Sequence, residues 1–295
     1  MRKGELSANQ LAVVFLLPPF LIYAIFVFYP IGNIFYLSFH SWDLMSPIKF
    51  IGWKNYENAL LKDPLVWKAI KNSIYFLLIS LASQVPSALL LALGLHKLLR
   101  WKSIYQTIIL IPWMLSLVAV GLIWCWIFSP LYGLLNQLLT KIGLEEFTRS
   151  WLTDAGTALP LVTLTGSWKA TGYWAIFFLA ALLRIPESLW DAAKIDGCSS
   201  LQQFFHVTLP LLKSVTTVVF TLIIIGALRT FDLIYTMTAG GPYNRTLVMS
   251  VYLYYQGFRF MQFGYGSTMA VLLFVIVFVI SISYLKFARK AKFEY

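Results

Sequence analysis

Carboxylates are scarce in this chain, and three of them lie close together in one polar passage. Only 12 of the 295 residues are Asp or Glu. Glu187, Asp191 and Asp196 fall within residues 186–210, PESLWDAAKIDGCSSLQQFFHVTLP, and long apolar runs lie on both sides of that passage. Groups of this kind serve either as catalytic acids and bases or as contacts for a partner, so the residues around them decide between the two.

The other residues that could support catalysis or metal binding are dispersed. His40, His96 and His206 are scattered, and no cluster of His with Asp or Glu has catalytic spacing. Cys125 and Cys198 show neither metal-ligand spacing nor a paired framework. The sequence therefore gives no support for a membrane enzyme or for a metal site.

Three ionisable residues lie inside apolar runs. Lys169 is midway along one run, and Arg229 and Asp232 lie near the end of another, three residues apart. Ionisable residues at membrane depth are functional candidates by default, so all three are candidates for a substrate path. The alternatives stay open: Arg229 and Asp232 at i and i+3 suit an intrahelical ion pair, and Lys169 suits snorkelling or helix packing.

Aromatic and hydroxyl side chains accompany these ionisable residues. Trp168, Tyr173 and Trp174, with Thr171 and Thr230, could stack on a sugar and hydrogen-bond to it. Tryptophan and tyrosine are also common at membrane interfaces, where they need no ligand. The candidate path therefore comprises Trp168, Lys169, Tyr173, Trp174, Arg229, Thr230 and Asp232.

The elements that carry these residues are membrane helices. Hydrophobic residues make up 59% of the chain and charged residues 12%, whereas a soluble domain has about 25% charged residues. The net charge of +11 is typical of basic residues that flank membrane helices and face anionic lipid, so it does not indicate nucleic-acid binding.

Six apolar runs are long enough to cross a bilayer, which takes roughly 20 residues. They lie at about 11–37, 73–95, 104–128, 158–183, 214–236 and 266–286. The first run has no small-residue cleavage site and continues to about residue 39, so it predicts a helix rather than a signal peptide. Span two carries Ser80, Ser83, Gln84 and Ser87, which predicts close packing against another helix.

The distribution of basic residues predicts that both termini are cytoplasmic. The short loop HKLLRWK (96–102) between spans two and three is basic and contains no acid, as the positive-inside rule expects of a cytoplasmic loop. The passage 186–210 then lies on the cytoplasmic side, between spans four and five.

Local signals divide that passage into two short helices. Pro186 suits a first helical position, a helix follows over 188–196, and Gly197 ends it in the left-handed conformation. Ser199 with Gln202 predicts a capping box for a second helix, which Leu209-Pro210 ends. From these signals alone, the segment is either an interfacial linker or a docking site for another protein.

The spacing of this passage resembles a family signature. The passage resembles the EAA signature of permease subunits of ATP-binding-cassette importers, with Asp in place of Glu and Val in place of Ile. The matching residues are Asp191-Ala192-Ala193, then Gly197 after three residues, Val207 after nine more, and Leu209-Pro210 after one more. Other stretches are similar to the carbohydrate branch, which transports maltose-like oligosaccharides and glycerol phosphate: 50–73, SPLYGLLNQLL (129–139), SWKATGYW (167–174), LRIPESL (183–189) and FDLIYTMTAGGP (231–242).

The resemblance implies an all-α membrane protein, a single permease domain over 1–295 with the type I importer fold. It implies no enzymatic activity and no cofactor in this chain, which lacks a phosphate-binding Gly-x-x-x-x-Gly-Lys-Ser/Thr loop; ATP and Mg²⁺ bind a partner ATPase dimer. The other implied partners are a second permease subunit, an extracytoplasmic solute-binding protein and a carbohydrate, in a bacterial or archaeal cytoplasmic membrane. The residues that it assigns to ATPase coupling are Glu187, Asp191, Ala192, Ala193, Asp196, Gly197, Leu209 and Pro210.

Two other classes of protein fit the sequence less well than this family, and one alternative lies within it. A secondary transporter would show an inverted repeat and an intramembrane carboxylate for ion coupling, but no repeat is visible and Asp232 is the only carboxylate within a span. A membrane enzyme lacks a catalytic cluster. Within the family, a permease for polyamine or phosphate is possible, and the stretches 129–139 and 231–242 favour carbohydrate.

The resemblance also indicates which positions face the substrate cavity. Two of them are Tyr173 and Thr230, and others hold small or apolar residues: Gly166, Ala170, Ile223 and Gly226.

Overall fold

A computed structural model describes residues 8–97 and 101–290, and the described chain is almost entirely helical. Helices α1 (Ala8–Tyr23) and α2 (Tyr29–Ser38) are continuous through the π-helical turn Ala24–Phe28. The other α-helices are α3 (Lys54–Glu57), α4 (Pro64–Lys97), α5 (Lys102–Met114), α6 (Leu117–Ile127), α7 (Leu134–Lys141), α8 (Ala158–Leu182), α9 (Glu187–Ile195), α10 (Ser200–Gln203), α11 (Leu209–Leu211), α12 (Lys213–Leu228), α13 (Asp232–Thr238), α14 (Met249–Tyr254) and α15 (Phe263–Lys290). Strands β1 (His40–Ser41) and β2 (Lys49–Phe50) form a small antiparallel ribbon.

Several helices have the length and composition of membrane spans. Three continuous helices qualify on their own: Leu11–Ser38, Pro64–Lys97 and Phe263–Arg289. Three more candidates are bent pairs of helices, so the described residues provide three to six spans by length and composition. The prediction of an all-α membrane protein is confirmed.

The bend between α5 and α6 has a local cause. The two helices meet at 91° across Leu115 and Ser116. Pro112 removes one backbone donor near the end of α5, and both linking residues have extended backbone angles. Ser116 then caps α6, since its side-chain oxygen accepts from the Ala119 N–H at 3.1 Å. The predicted third span, 104–128, is therefore interrupted at its middle.

The contacts within the chain divide it into two compact units. Of the described residues, unit 1 comprises 8–63 and 253–272, and unit 2 comprises 64–97, 101–252 and 273–290. In unit 1, Asn55 Nδ2 donates to the carbonyls of Ser38 and His40, each at 3.0 Å, and the Thr268 hydroxyl donates to the Ser38 carbonyl at 3.1 Å. These bonds fix the end of α2 and strand β1 to the beginning of α15.

Unit 2 is organised around the pair α4 and α8. Its core contains Ala88, Ala92, Ala175, Phe178 and Leu182, all completely buried. Small residues on α4 allow α8 to approach closely, and this leaves room for the larger side chains of α8. Leu212 and Val219, near the beginning of α12, complete the same core.

Polar side chains join α4 to α8 along this contact. Ser83 Oγ donates to Ser167 Oγ at 2.7 Å, and the hydroxyls of Ser87 and Thr171 are 3.0 Å apart. The prediction that the polar cluster of span two packs against another helix is confirmed. These bonds supply the specificity that apolar packing lacks between helices surrounded by lipid.

Part of the sequence on which the predicted orientation and domain assignment depend lies outside the described residues. Residues 98–100 of the basic loop 96–102 are among these, as are residues 1–7 and 291–295 at the two termini. The cytoplasmic placement of the termini and the single domain over 1–295 stay predictions.

Candidate docking segment and intramembrane path

Helix α9 begins the polar passage that the sequence marks as a docking segment. It runs from Glu187 to Ile195, and Pro186 caps it with an extended ψ of 136°. Pro186 therefore lies just before the helix, whereas the sequence placed it at the first helical position. The prediction of a short helix ending near Asp196 is confirmed. Glu187 in the first turn and Lys194 in the last turn both match the helix dipole.

Gly197 ends α9 in the left-handed conformation, with φ at +76°. The Gly197 N–H donates to the Lys194 carbonyl at 3.0 Å, and the Cys198 N–H donates to the Ala193 carbonyl at 2.9 Å. This pair of bonds is the Schellman arrangement, in which residues beyond the helix satisfy its last carbonyls. No atom lies within 4 Å of the position that a Gly197 side chain would take, so the backbone conformation alone favours glycine here.

The second half of the segment begins with the predicted capping box. The Ser199 N–H donates to Gln202 Oε1 at 2.7 Å, and the Gln202 N–H donates back to Ser199 Oγ at 3.4 Å. Helix α10 then continues through the π-helical turn Phe204–Thr208 into α11.

The second helix ends one residue beyond the predicted stop at Leu209-Pro210. The Leu209 N–H donates to the Phe204 carbonyl, which closes the wide π-helical turn, and Pro210 begins the next turn, where no backbone donor is needed. The helix ends at Leu211, and the chain bends by 68° before α12.

Most of the side chains assigned to coupling are exposed. Those of Glu187, Asp191, Ala192, Asp196, Leu209 and Pro210 are exposed, as is Gly197. Ala193 is different, because it is only 7% exposed and packs inward. Asp191 pairs with Lys194 at 2.9 Å, but both side chains are more than 60% exposed, so the pair contributes little to stability.

The docking segment contacts the end of α4 through His96, which the sequence analysis set aside. The rings of His96 and Trp190 are 6.4 Å apart, and His96 Nδ1 is buried without a hydrogen-bond partner in the described chain. A cavity of about 650 Å³ lies beside this contact, lined by α4, α8, α9 and residues 200–208. His96 and Trp190 are about 90 residues apart in the sequence, so no local pattern predicts their contact.

Lys169 is buried and has a specific partner. Its side chain is 6% exposed, and its Nζ donates to the Trp113 carbonyl at 2.9 Å and lies 4.5 Å from the centre of the Trp113 ring. Trp113 belongs to the last turn of α5, whose carbonyls lose their helical donors at the break before α6. The ammonium therefore caps the broken helix, and the helix-packing alternative describes Lys169 better than an open substrate path.

The aromatic residues of α8 divide into two groups. Tyr173 stacks on Trp113 with ring centres 4.2 Å apart, and Trp174 donates its Nε1 hydrogen to Gln84 Oε1 at 2.8 Å. Trp168, in contrast, is 47% exposed and makes an edge-to-face contact with Trp124. The structure therefore joins Lys169, Tyr173 and Trp174 around Trp113, a residue that the sequence analysis did not single out.

A cavity of about 420 Å³ lies between α4, α5 and α8. Its polar lining comes from the hydroxyls of Ser83, Ser87, Ser167 and Thr171, and Trp168 forms one side. The remaining lining is apolar, which is typical of a site that uses few polar groups to orient a ligand.

Arg229, Thr230 and Asp232 lie at a helix break rather than along one helix. Helix α12 ends at Leu228 with Arg229 as its cap, and α13 begins at Asp232. The interpretation of Arg229 and Asp232 as neighbours at i and i+3 on one helical face is therefore wrong. Both are exposed, and no ion pair joins them within residues 8–97 and 101–290. The Thr230 carbonyl accepts a hydrogen bond from the Ser250 hydroxyl.

The small and apolar positions named from the resemblance differ in exposure. Ala170 and Ile223 are buried in the core of unit 2, so both serve packing. A side chain at Gly166 would lie 3.1 Å from Leu233, whereas one at Gly226 would meet no atom within 4 Å. Of these four, Gly226 alone borders open space.

Comparison with known proteins identifies the family of this chain. Residues 84–293 match the family described as binding-protein-dependent transport system inner membrane component. The chain belongs to this family of multi-pass inner-membrane proteins, and the predicted recognition of an importer permease is confirmed.

Related proteins cover almost the whole chain. The probable ABC transporter permease protein YurN of Bacillus subtilis is 36% identical over 98% of this chain and 99% of its own length. The lactose transport system permease protein LacF of Rhizobium radiobacter is 37% identical over 95% and 94%. A chain of a bacterial transporter that imports the acidic polysaccharide alginate has a TM-score of 0.84 at 24% identity, and covers 97% of both chains, which shows a shared fold.

Proposed function

We propose that this protein is a permease subunit that imports a sugar across the cytoplasmic membrane, driven by a separate ATPase. Membership of the importer family carries this proposal. Relatives named as permeases for lactose, arabinooligosaccharides and sulfoquinovosyl glycerol support a carbohydrate, a class that includes glycosylated glycerol. We expect no catalysis in this chain, because its partner hydrolyses ATP.

In the proposed topology six spans cross the membrane and both termini are cytoplasmic. Helices α5 and α6 together form the third span, α8 forms the fourth and α12 the fifth, so α9, α10 and α11 lie outside the bilayer. This orientation places residues 186–210 in the cytoplasm and unit 1's ribbon and α3 outside. The polar character of the docking segment and the basic loop 96–102 support it.

The proposed partners are a second, homologous permease subunit, an ATPase dimer that binds ATP and Mg²⁺, and an extracytoplasmic solute-binding protein. The solute-binding protein is supported by a structurally similar bacterial alginate ABC transporter, which has been solved in complex with an alginate pentasaccharide-bound periplasmic protein. The exposed face of α9 with Asp191, Ala192 and Gly197 would contact the ATPase. Rigid-body motion of this helix would then switch the bundle between inward and outward openings.

We place the sugar path along the face of α8 that lines the cavity of 420 Å³. Trp168 would stack on a sugar ring, and the hydroxyls of Ser83 and Thr171 would bind its hydroxyl groups. Tyr173 and Lys169 would hold the α5 break that forms one wall. Trp174 would support that wall from behind, and Arg229, Thr230 and Asp232 would lie along the path at the break between α12 and α13.

Two matched glycine variants test the coupling role. Gly197 and Gly143 both have positive φ and open space around them, so replacement by Asp imposes similar backbone strain at both sites. Gly143 follows α7, on the opposite side of the proposed topology. The assay is sugar uptake and ATP hydrolysis in proteoliposomes that contain both permeases, the ATPase and the loaded solute-binding protein.

We expect Gly197→Asp to abolish uptake, because its side chain would enter the ATPase contact, while the protein stays in the membrane. Gly143→Asp should retain most of the uptake. Equal uptake by the two variants would contradict the coupling role of the segment. A wild-type complex that imports no carbohydrate would contradict the proposed substrate class.

A further inference from the structure

A further cavity lies in unit 1, and neither the docking segment nor the path includes it. Its volume is about 410 Å³. Every side chain that lines it is polar or aromatic, whereas the path cavity has a largely apolar lining. The lining residues are Ser41, Trp42, Asp43, Asn55, Asn58, Gln262 and Tyr265.

The walls of this cavity are held rigidly. Asn55 uses both amide hydrogens to hold the backbone of Ser38 and His40. Asp43 Oδ1 accepts from the Ser46 and Met45 N–H groups at 2.7 and 3.1 Å, which fixes the loop after β1.

The opposite wall is equally close-fitting. The Gly264 N–H donates to the Trp42 carbonyl at 3.2 Å, and a side chain at Gly264 would lie 2.0 Å from the His40 carbonyl oxygen. The Tyr265 hydroxyl donates to Asp63 at 2.7 Å. A ligand would therefore meet a pre-formed site, which reduces the entropy cost of binding.

Three polar side chains in this lining have hydrogen-bonding capacity to spare. The indole N–H of Trp42, the NH₂ group of Asn58 and the amide of Gln262 make no hydrogen bond to residues 8–97 or 101–290. Trp42 is half-buried, with its ring centre 5.7 Å from that of Phe263, so its orientation is constrained. These groups present donors and an acceptor to whatever occupies the cavity.

The chemistry of the lining selects among ligand classes. A metal ion is disfavoured because Asp43 is the one carboxylate and its oxygens already hold the loop. An anion is disfavoured because the lining has no cation, and hydrogen bonds from Ser46 and Met45 lower the pKa of Asp43 and keep it charged. Amide groups that donate and accept, beside an indole ring, match the vicinal hydroxyls and the C–H face of a neutral sugar.

We propose that this cavity binds one unit of a neutral saccharide, separately from the path in unit 2. The inference rests on the proposed sugar transport and places the site on the outer side of the membrane. Trp42 provides the stacking surface, and Asn58 and Gln262 bind hydroxyl groups.

Saccharide binding to the purified complex tests this site. The complex of both permeases and the ATPase is placed in nanodiscs without the solute-binding protein, and binding is measured by saturation-transfer NMR and titration calorimetry. The probes are maltotriose, lactose and raffinose as neutral sugars and trigalacturonate as an acidic one. We expect at least one neutral probe to bind and trigalacturonate not to bind at this site.

Substitutions then assign the binding to the cavity. Trp42→Ala should raise the Kd of the neutral probe about tenfold, because it removes the stacking surface and one donor. Trp42→Phe keeps the ring and should lose less. Trp53→Ala, in the same unit but outside the lining, should leave the Kd unchanged.

Two results would overturn the proposal. One is that no neutral probe shows binding that Trp42→Ala weakens. The other is that Trp42→Ala weakens docking of the solute-binding protein while leaving sugar binding intact, which would make the cavity a protein contact. A complex that imports sugar normally but gives either result would refute this site alone and leave the proposed function standing.

Discussion

Replacement of Gly172 by alanine tests a close approach of α8 to α5. Gly172 lies on α8, and the side-chain carbon of an alanine there would be 1.8 Å from the Ile109 carbonyl oxygen of α5. Ordinary contacts begin at 3.4 Å, so the overlap is 3.4 − 1.8 = 1.6 Å. The obstacle is backbone within a helix, so it cannot rotate away as a flexible side chain would.

The expected cost follows from this overlap. Overpacking of a core costs about 1–3 kcal/mol, and the gain in helix propensity from Gly to Ala offsets about 0.5–1 kcal/mol. Because the overlap is large, we expect a net loss toward the upper part of that range, about 2 kcal/mol. Separation of α5 from α8 would also disturb the bond between Lys169 and the Trp113 carbonyl.

Thermal unfolding of the detergent-purified complex, followed by fluorescence size exclusion, measures this effect. Gly94→Ala on α4 is the matched control, since no atom of the described residues lies within 4 Å of its added carbon. We expect a lower Tm and reduced sugar uptake for Gly172→Ala, and an unchanged or higher Tm for Gly94→Ala. Equal Tm values and full uptake for both variants would refute the described approach of α5 and α8.

Two further predictions concern Lys169 and His96. Lys169→Met should destabilise the protein by about 1–3 kcal/mol, because the Trp113 carbonyl would lose its buried partner; Lys169→Arg should retain more of the thermal stability, and equal losses would contradict the capping role. His96→Ala should raise the number of ATP molecules hydrolysed per sugar imported, because it removes the ring contact with Trp190. An aromatic pair is worth about 0.5–1.5 kcal/mol, which corresponds to about a two- to tenfold increase in this ratio. His96→Phe, which keeps a ring, should restore the wild-type ratio in proteoliposomes, and an unchanged ratio in His96→Ala would show that the contact transmits nothing.

The hydrogen bond of the buried Lys169 affects which substrate class the proposed path would accept. An intramembrane cation suggests a site for a charged substrate, yet Lys169 directs its charge to a helix end within its own chain. The hydroxyl groups along α4 and α8 remain as the polar lining of the path cavity. Such a lining suits a neutral sugar better than a phosphorylated one, which would need an unpaired cation.

The sequence by itself determined the features that depend on neighbouring residues. The membrane helices follow from apolar runs, because the bilayer requires backbone groups to bond within each segment. The end of α9 at Gly197 and the capping box at Ser199 were predictable, since their hydrogen bonds join residues three to five positions apart. The family signature belongs to the same class of short-range information.

Tertiary structure decided the partners that lie far apart along the chain. Lys169 meets the Trp113 carbonyl 56 residues away, and the cavity of unit 1 joins residues 41–58 to 262–265. The π-helical turn at Phe204–Thr208 and the break between α12 and α13 shifted side chains off the regular period from which sequence reasoning places them. Helical periodicity indicates which face is apolar, but only packing determines which distant groups meet that face.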